Sequence, residues 1–294
     1  MAKWLPVFLL ALFAVLPLAA CSSEEPEEKV LSFSAIPDEK DATKFEEKFG
    51  KVAAYLEKQL GVKVKYVHAT TYADSVEQFK NGNIQMAWFG GLTGVQAVKA
   101  VPGARAIAYG KEDPNYFSYF IANAATGLER GDDYPAAIKG KKFTFGSAQS
   151  TSGRLMPESF IRANNGDVDP KDYFGGLNFS GSHDKTCELV AAGEWEVGAV
   201  SYTTYDKLVK DGKLDPKVCK VIWKSPTYAD YNFTAHPMLE EMFGKGFVDK
   251  LQKALIDMKD PELLAAIGRS GLIKASNADF KKIEETAAKL GFLD

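Results

Sequence analysis

Phe143-Thr-Phe-Gly-Ser-Ala-Gln-Ser150-Thr151-Ser152-Gly153-Arg-Leu-Met-Pro-Glu-Ser-Phe-Ile-Arg162 begins as one kind of element and ends as another. Phe143 and Phe145 alternate with Lys142 and Thr144, which is the period of a strand. Leu155, Ser159, Phe160 and Ile161 follow helical spacing instead. Between them lies a turn of hydroxyls and glycine. The first amides of a helix lack internal partners and point toward negative charge, so such a turn is a common way to hold an anion. Ser150, Thr151 and Ser152 add side-chain donors. The same residues also make an ordinary helix cap, and the segment alone does not separate the two readings. It does establish a strand-to-helix step, the building block of α/β folds.

Upstream, the step repeats. Val30 to Ile36 alternates as a strand, and Phe45, Phe49, Val52, Tyr55, Leu56 and Leu60 form a helical stripe closed by Gly61. Val62 to Val67 is a strand, Ser75 to Lys80 a short helix, and Ile84 to Phe89 an apolar strand with the pattern of burial on both faces. A helix follows through Ala100, then strands over Ala104 to Tyr109 and Tyr116 to Asn123. Downstream of Thr126 the alternation restarts, with strands at Phe143, Gly176, Val197 and Val221 separated by helices. After Tyr228 to Ala235 the pattern predicts helices only. These elements predict two α/β units, each with a mostly parallel sheet, and a helical tail. One lobe spans 30–124 plus 232–294 and the other 125–231, with crossings near Ala124 to Leu128 and Ser225 to Asn232.

The ends and the composition set the address. Lys3, the apolar run Leu5 to Leu18, and Leu18-Ala-Ala-Cys21 make residues 1–20 a secretory leader. The cysteine at the cleavage point resembles a bacterial lipobox, so Cys21 is the expected lipidation site. Residues 21–29 form an acidic tether with little to bury, expected to be disordered. The mature chain is therefore expected in the periplasm or cell envelope, anchored to the membrane by lipid. A formal net charge of -3 over 294 residues leaves no basic footprint for nucleic acid. Cys187 and Cys219 either pair or lie buried as thiols.

Hydroxyls and glycines recur wherever a strand hands over to a helix. Thr70-Thr71-Tyr72, Phe89-Gly90-Gly91, Ser147 to Gly153, Ser180-Gly-Ser-His183-Asp184 and Ser201-Tyr202-Thr-Thr204 all have this character. Ligands of open α/β sheets bind at that edge. Singly each is a turn; together they mark a ligand site. His183, at a helix start, is placed to donate to an oxyanion. No His, Cys, Asp or Glu cluster has metal-ligand spacing, and no cofactor is expected. A hydrolase of phosphate or sulfate esters is the rival reading, with Ser150 or Ser152 as nucleophile. Gly146 to Gly153 does not match G-x-S-x-G, and adjacent His183 and Asp184 are poorly placed as base and orienter.

The lipobox, the strand Leu31 to Pro37, Tyr72-Ala73, Asn81-Gly82, Trp88-Phe89-Gly90, Ser150-Thr-Ser-Gly153 and Gly181-Ser-His-Asp184 occur in this order. Together they resemble the phosphonate- and phosphite-binding periplasmic proteins of ABC transporters, over nearly all of the mature chain. Within that family the chain looks most like a branch named for selenate binding. The resemblance implies a two-lobed type II periplasmic binding protein with a hinge and an interlobe cleft. It implies a monomer that binds a small oxyanion, performs no chemistry, and hands its ligand to a transporter permease. Ser150, Thr151, Ser152 and His183 would bind from one lobe, and Tyr72 with Phe89, Gly90 and Gly91 from the other. Ser201 and Tyr202 stand at a further ligand turn. Phosphonate binders commonly have tyrosine where Phe89 stands and an acid where Ser201 stands. A neutral Ser201 favours a small inorganic oxyanion over an aminoalkylphosphonate. The same fold used by a non-transport lipoprotein, as sensor or adhesin, is the remaining alternative.

Overall fold

The computed structural model describes residues 1–2, 28–39 and 41–293, so the leader, Cys21 and most of the tether lie outside the described residues. The chain runs β1 (Val30–Ala35), α1 (Ala42–Leu60), β2 (Lys63–Tyr66), α2 (Tyr72–Lys80), β3 (Met86–Phe89), α3 (Gly91–Ala100) and β4 (Arg105–Gly110). It continues with β5 (Ser118–Asn123) and β6 (Lys142–Phe145), then a π-helical turn (Thr151–Leu155) that leads into α4 (Met156–Asn164). Next come α5 (Pro170–Tyr173), β7 (Gly176–Phe179), α6 (His183–Ala191), β8 (Val197–Ser201), α7 (Tyr202–Lys210) and β9 (Cys219–Lys224). The last part holds β10 (Asn232–Ala235), α8 (Met238–Phe243), α9 (Phe247–Ile256), α10 (Pro261–Ala266), β11 (Leu272–Lys274) and α11 (Lys281–Lys289).

Two mixed sheets organise two lobes. The first has the order β11-β4-β10-β3-β1-β2, and the second β7-β6-β8-β5-β9. Four strands of the first sheet run one way, with β10 and β11 reversed. In the second, only β5 runs against the others. The reason for each element is local. Asp41 caps α1 by accepting from the Lys44 amide, and Gly61 ends it at φ 70°, a conformation that costs glycine little. Thr71 caps α2 by accepting from the Asp74 amide at 3.0 Å, so that helix starts at Tyr72, before the expected Ser75. β3 is a fully buried central strand, paired at its edges with β1 and β10 and packed against by α2 and α3.

Three strands depart from the sequence expectation. Ser118–Asn123, grouped above with the first lobe, pairs with β8 and β9 in the second sheet. Alternation marks a strand but not its sheet; the chain has already turned at Asp113–Asn115 and crossed. Asn232–Ala235, given no element above, supplies β10 to the first sheet, and the tail after it, read as helical, supplies β11. β11 has three residues, too few to show a period. The second crossing, Ser225 to Tyr231, runs beside the first: the Tyr228 amide donates to the Tyr116 carbonyl at 2.9 Å, and Asp230 likewise to Asp113 at 3.2 Å.

The first lobe has one large apolar core, and the second has smaller clusters on either side of its sheet. Leu155 and Met156 belong by sequence to the second lobe yet pack into the core of the first. The lobes are therefore in direct contact in this structure. Gly110, at the end of β4, lies against a buried ion pair. A Cβ there would come within 2.6 Å of Arg269 Cγ and of an Asp113 carboxylate oxygen. Gly110→Ala is expected to cost about 1–3 kcal/mol by overpacking, read as a lower urea midpoint at unchanged slope; an unchanged midpoint would contradict this packing.

Candidate functional site

The π-helical turn at Thr151 is the centre of the site. The Leu155 amide reaches back to the Ser150 carbonyl at 2.9 Å, a five-residue step that widens the helix start. Ser150 Oγ accepts from the Gly153 amide at 2.9 Å, so its own hydroxyl proton remains free to be donated elsewhere. Residue 153 is closely confined: a Cβ would sit 3.0 Å from both His183 Cε1 and Ser150 Oγ. Ser150, Thr151 and Ser152 are all buried, as a mere surface cap would not be.

His183 opens α6 beside this turn, with Nε2 3.5 Å from Ser150 Oγ. Its Nδ1 accepts from the Ser201 amide at 3.2 Å, which places the ring proton on Nε2. Burial pushes its pKa down to about 4, against a smaller opposing pull from Asp184, so the ring is neutral through the physiological range. The site thus offers a neutral N–H donor. Ser201 contributes through its backbone, since its hydroxyl is shared between Tyr116 and Thr203. Tyr202 is half-buried and stacks on Phe117 at 4.0 Å between ring centroids.

From the other lobe comes Tyr72, whose buried hydroxyl lies beside Ser150, close enough to interact with it but not in a well-formed hydrogen bond. Burial pushes its pKa well up, so it is a donor at any ordinary pH. Phe89 does not join this group; its ring lies in the core, edge-on to Phe79 at 5.6 Å. Gly90 and Gly91 meet the second lobe directly. A Cβ on Gly90 would lie 3.1 Å from Thr151 Oγ1. The start of α3 is already occupied, because the Leu92 amide donates to Thr151 Oγ1 at 2.9 Å and the Gly91 amide to Asp230 Oδ1 at 2.8 Å. The His183 amide donates to the Asp38 carbonyl at 3.2 Å, a second bond between lobes. A surface depression lined by Thr71 and Tyr72 on one side and Ser147, Ser182 and Lys185 on the other opens next to this group.

Several residues here escaped the sequence reading. Asp38 takes the Tyr231 hydroxyl at 2.9 Å, and burial, then Glu39, pushes its pKa up to about 7. Asp230 is buried as well, and burial raises it to about 7, partly offset by the Gly91 amide. Arg269 grips Asp113 through Nε and Nη2, both at 2.8 Å, and both side chains are buried. Its guanidinium lies 4.6 Å from the Tyr231 ring centroid and 5.3 Å from those of Trp88 and Tyr116. Asp113 holds that guanidinium charged. Ser118 Oγ donates to the Ser152 carbonyl at 2.7 Å and meets Tyr228 at 2.5 Å, tying the turn to both crossings. The run Tyr228-Ala-Asp-Tyr-Asn232, polar and aromatic inside a crossing segment, is the signal that could have drawn attention to Asp230. Cys187 and Cys219 are buried and unpaired. Among the described residues no group of His, Cys, Asp and Glu could hold a metal ion.

Fold and site define a two-lobed type II periplasmic binding protein. Residues 33–280 match the family described as ABC transporter, phosphonate, periplasmic substrate-binding protein. The chain is 34% identical over 270 residues to a probable ABC transporter phosphite-binding protein of Prochlorococcus marinus, covering 89% of this chain and 90% of that one. A solved structure of a Prochlorococcus marinus protein in complex with methylphosphonate superposes with a TM-score of 0.83 at 34% identity, covering 90% and 99%. A phosphate-import protein of Mycolicibacterium smegmatis is 30% identical over 262 residues, covering 82% and 78%. The chain belongs to the family of periplasmic substrate-binding proteins of ABC phosphonate transporters. Membership makes it a binding component of a transporter rather than an enzyme.

Asp113→Asn would leave a buried guanidinium without its counter-charge, and is expected to cost about 3–5 kcal/mol of stability. Urea unfolding checks it; a loss below about 1 kcal/mol, the level of an exposed pair, would mean that the pair does not hold the crossing.

Proposed function

We propose that the chain captures a small phosphorus oxyanion or a similar ion between its lobes, with Ser150, Thr151, Ser152 and His183 on one side and Tyr72 on the other. The observation that carries this reading is the convergence of buried donors held by one another only loosely: the Ser150 hydroxyl and the His183 Nε2 proton, 3.5 Å apart, and the Tyr72 hydroxyl beside them. A cluster of neutral donors with a helix start behind it suits an anion whose charge is spread over several oxygens. Relatives named for phosphite and phosphate, and one bound to methylphosphonate, support the same chemistry. Gly90 and Gly91 act by bringing α3 against Thr151, and Ser201 by orienting His183, while Phe89 and Tyr202 pack around the site.

The two crossings form the hinge in this reading. Bound ligand bridges the lobes and shifts the population toward a closed form. The leader and Cys21 support a lipid anchor on the outer side of the inner membrane or in the outer membrane. The partner is then the transporter's permease, and a single copy is sufficient for binding.

Calorimetry with phosphite, methylphosphonate, selenate and 2-aminoethylphosphonate tests the reading. Ser152→Ala and His183→Ala are each expected to weaken binding by about 1–3 kcal/mol through loss of a charge-assisted bond. Because the His183 pKa lies at about 4, its share of the affinity should stay constant from pH 5.5 to pH 8. Unchanged affinity in both variants, or tight binding of 2-aminoethylphosphonate alone, would refute the assignment.

A further inference from the structure

Arg154 follows Gly153 directly and lies within the π-helical turn. Its guanidinium lies over the rings of Phe145, at the end of β6, and Phe179, at the end of β7, 4.5 and 4.7 Å from their centroids. Glu158, one turn on and buried, faces it at 2.5 Å and also takes Arg162 Nε at 2.9 Å. Nε and Nη1 of Arg154 are buried without hydrogen-bond partners. All of these groups belong by sequence to the second lobe. A third ring reaches the guanidinium from the first. Phe292, just beyond α11, has its centroid 5.7 Å away. Its backbone is tied to the first lobe: the amide donates to the Ala287 carbonyl at 2.8 Å, and the carbonyl accepts from Gln96 Nε2 at 2.9 Å. α11 itself packs on α3 and touches α4 and the π-helical turn. Gln149, in the hydroxyl turn, lines one surface depression with Gln96, Phe292 and Leu293, and the Oε1 atoms of both glutamines are buried and unpartnered.

Resting on the oxyanion reading above for its ligand, we propose that Phe292 is an interlobe latch: carried by the first lobe, its ring docks on the Arg154 guanidinium of the second when the lobes meet, and this contact slows ligand release. Among the described residues no hydrogen bond joins Arg154 to the first lobe, so the joint is a cation against an aromatic ring. Such a joint has no directional bond to break and can open and reform readily. It exists only while the lobes touch, so its free energy counts toward the joined state alone. Arg154 adjoins Gly153, and the latch therefore bears on the turn whose hydroxyls hold the anion. Capture begins from separated lobes, where the ring and the guanidinium are apart, so the latch acts on release rather than on association. Arg154 and Phe292 are positioning residues, and neither is among the donors assigned to the ligand.

The test is stopped-flow tryptophan fluorescence of the mature chain over a series of methylphosphonate concentrations, which separates association from release. Phe292→Ala should speed release about 3- to 30-fold, the factor that matches a partly desolvated cation–ring contact, and leave association unchanged. Phe292→Tyr keeps the ring and should behave as wild type. Phe292→Leu keeps apolar bulk against the first lobe; it should release nearly as fast as the alanine variant, and it serves if that variant fails to fold. In an Arg154→Met background Phe292→Leu should add nothing, because the partner is already gone. A merely structural phenylalanine would lower the urea midpoint without moving the release rate. Unchanged release in Phe292→Leu, or the same acceleration with and without Arg154, overturns the proposal. Hydrogen exchange at the Leu92 amide, which bonds Thr151 across the lobes, reads the latch without ligand. If methylphosphonate, phosphite and selenate all fail to bind the wild type, the oxyanion reading falls and exchange alone decides: faster exchange in Phe292→Leu upholds the latch, and equal exchange overturns it.

Discussion

The buried pair of Arg269 and Asp113 sits where the chain first leaves one lobe for the other. Two charges removed from water cost several kcal/mol each, and they persist only with good geometry and full hydrogen bonding. Here the geometry is a two-point grip, and the spare guanidinium protons go to the Ile267 and Gly268 carbonyls. Tyr116, Tyr231 and Trp88 surround the guanidinium. From this knot the rest of the centre can be traced. Tyr116 shares its hydroxyl with Ser201 and Thr203, and the Ser201 amide fixes His183. Tyr231 binds Asp38, whose carbonyl takes the His183 amide. One ion pair at the crossing thus supports elements of both lobes.

A consequence, in the binding mode proposed above, is that anion recognition falls to neutral groups. The charged Arg269 is spent on Asp113, and burial holds His183 neutral. Hydroxyls and amides aimed in advance at one point lose little reorganisation when an anion arrives. They also discriminate by geometry rather than by charge. That is consistent with relatives whose names span phosphite and phosphate, and with the overall negative charge of the chain. Asp38 and Asp230 alter the argument made from Ser201. Loss of an acid at position 201 does not leave the region free of carboxyls, but both of those present are shifted toward the neutral form.

The parts of the molecule legible in the sequence were those with local causes. The amphipathic stripe of α1 and the hydroxyl turn at Ser150 depend on neighbours within a few residues, and β3 announces its burial by an unbroken apolar run. The departures have non-local causes. Ser118–Asn123 alternates equally well in either sheet, and only the turn at Asp113 assigns it. Asp113 and Arg269 are separated by 156 positions, and Asp230 and Gly91 by 139, so no spacing rule reveals either contact. The resemblance implied that the Phe89-Gly90 turn faces the ligand, yet the ring of Phe89 points into the core. The backbone of a turn and the side chain beside it need not share a role.

The central claim is that ligand and hinge are one mechanism, with the contacts of Thr151 to Leu92 and of His183 to Asp38 made in the closed form. Small-angle X-ray scattering of the mature chain, with and without saturating methylphosphonate, addresses it directly. The account predicts a larger radius of gyration without ligand, and with ligand a smaller one whose curve matches the closed arrangement described here. Identical curves, despite binding demonstrated in the same sample, would contradict it.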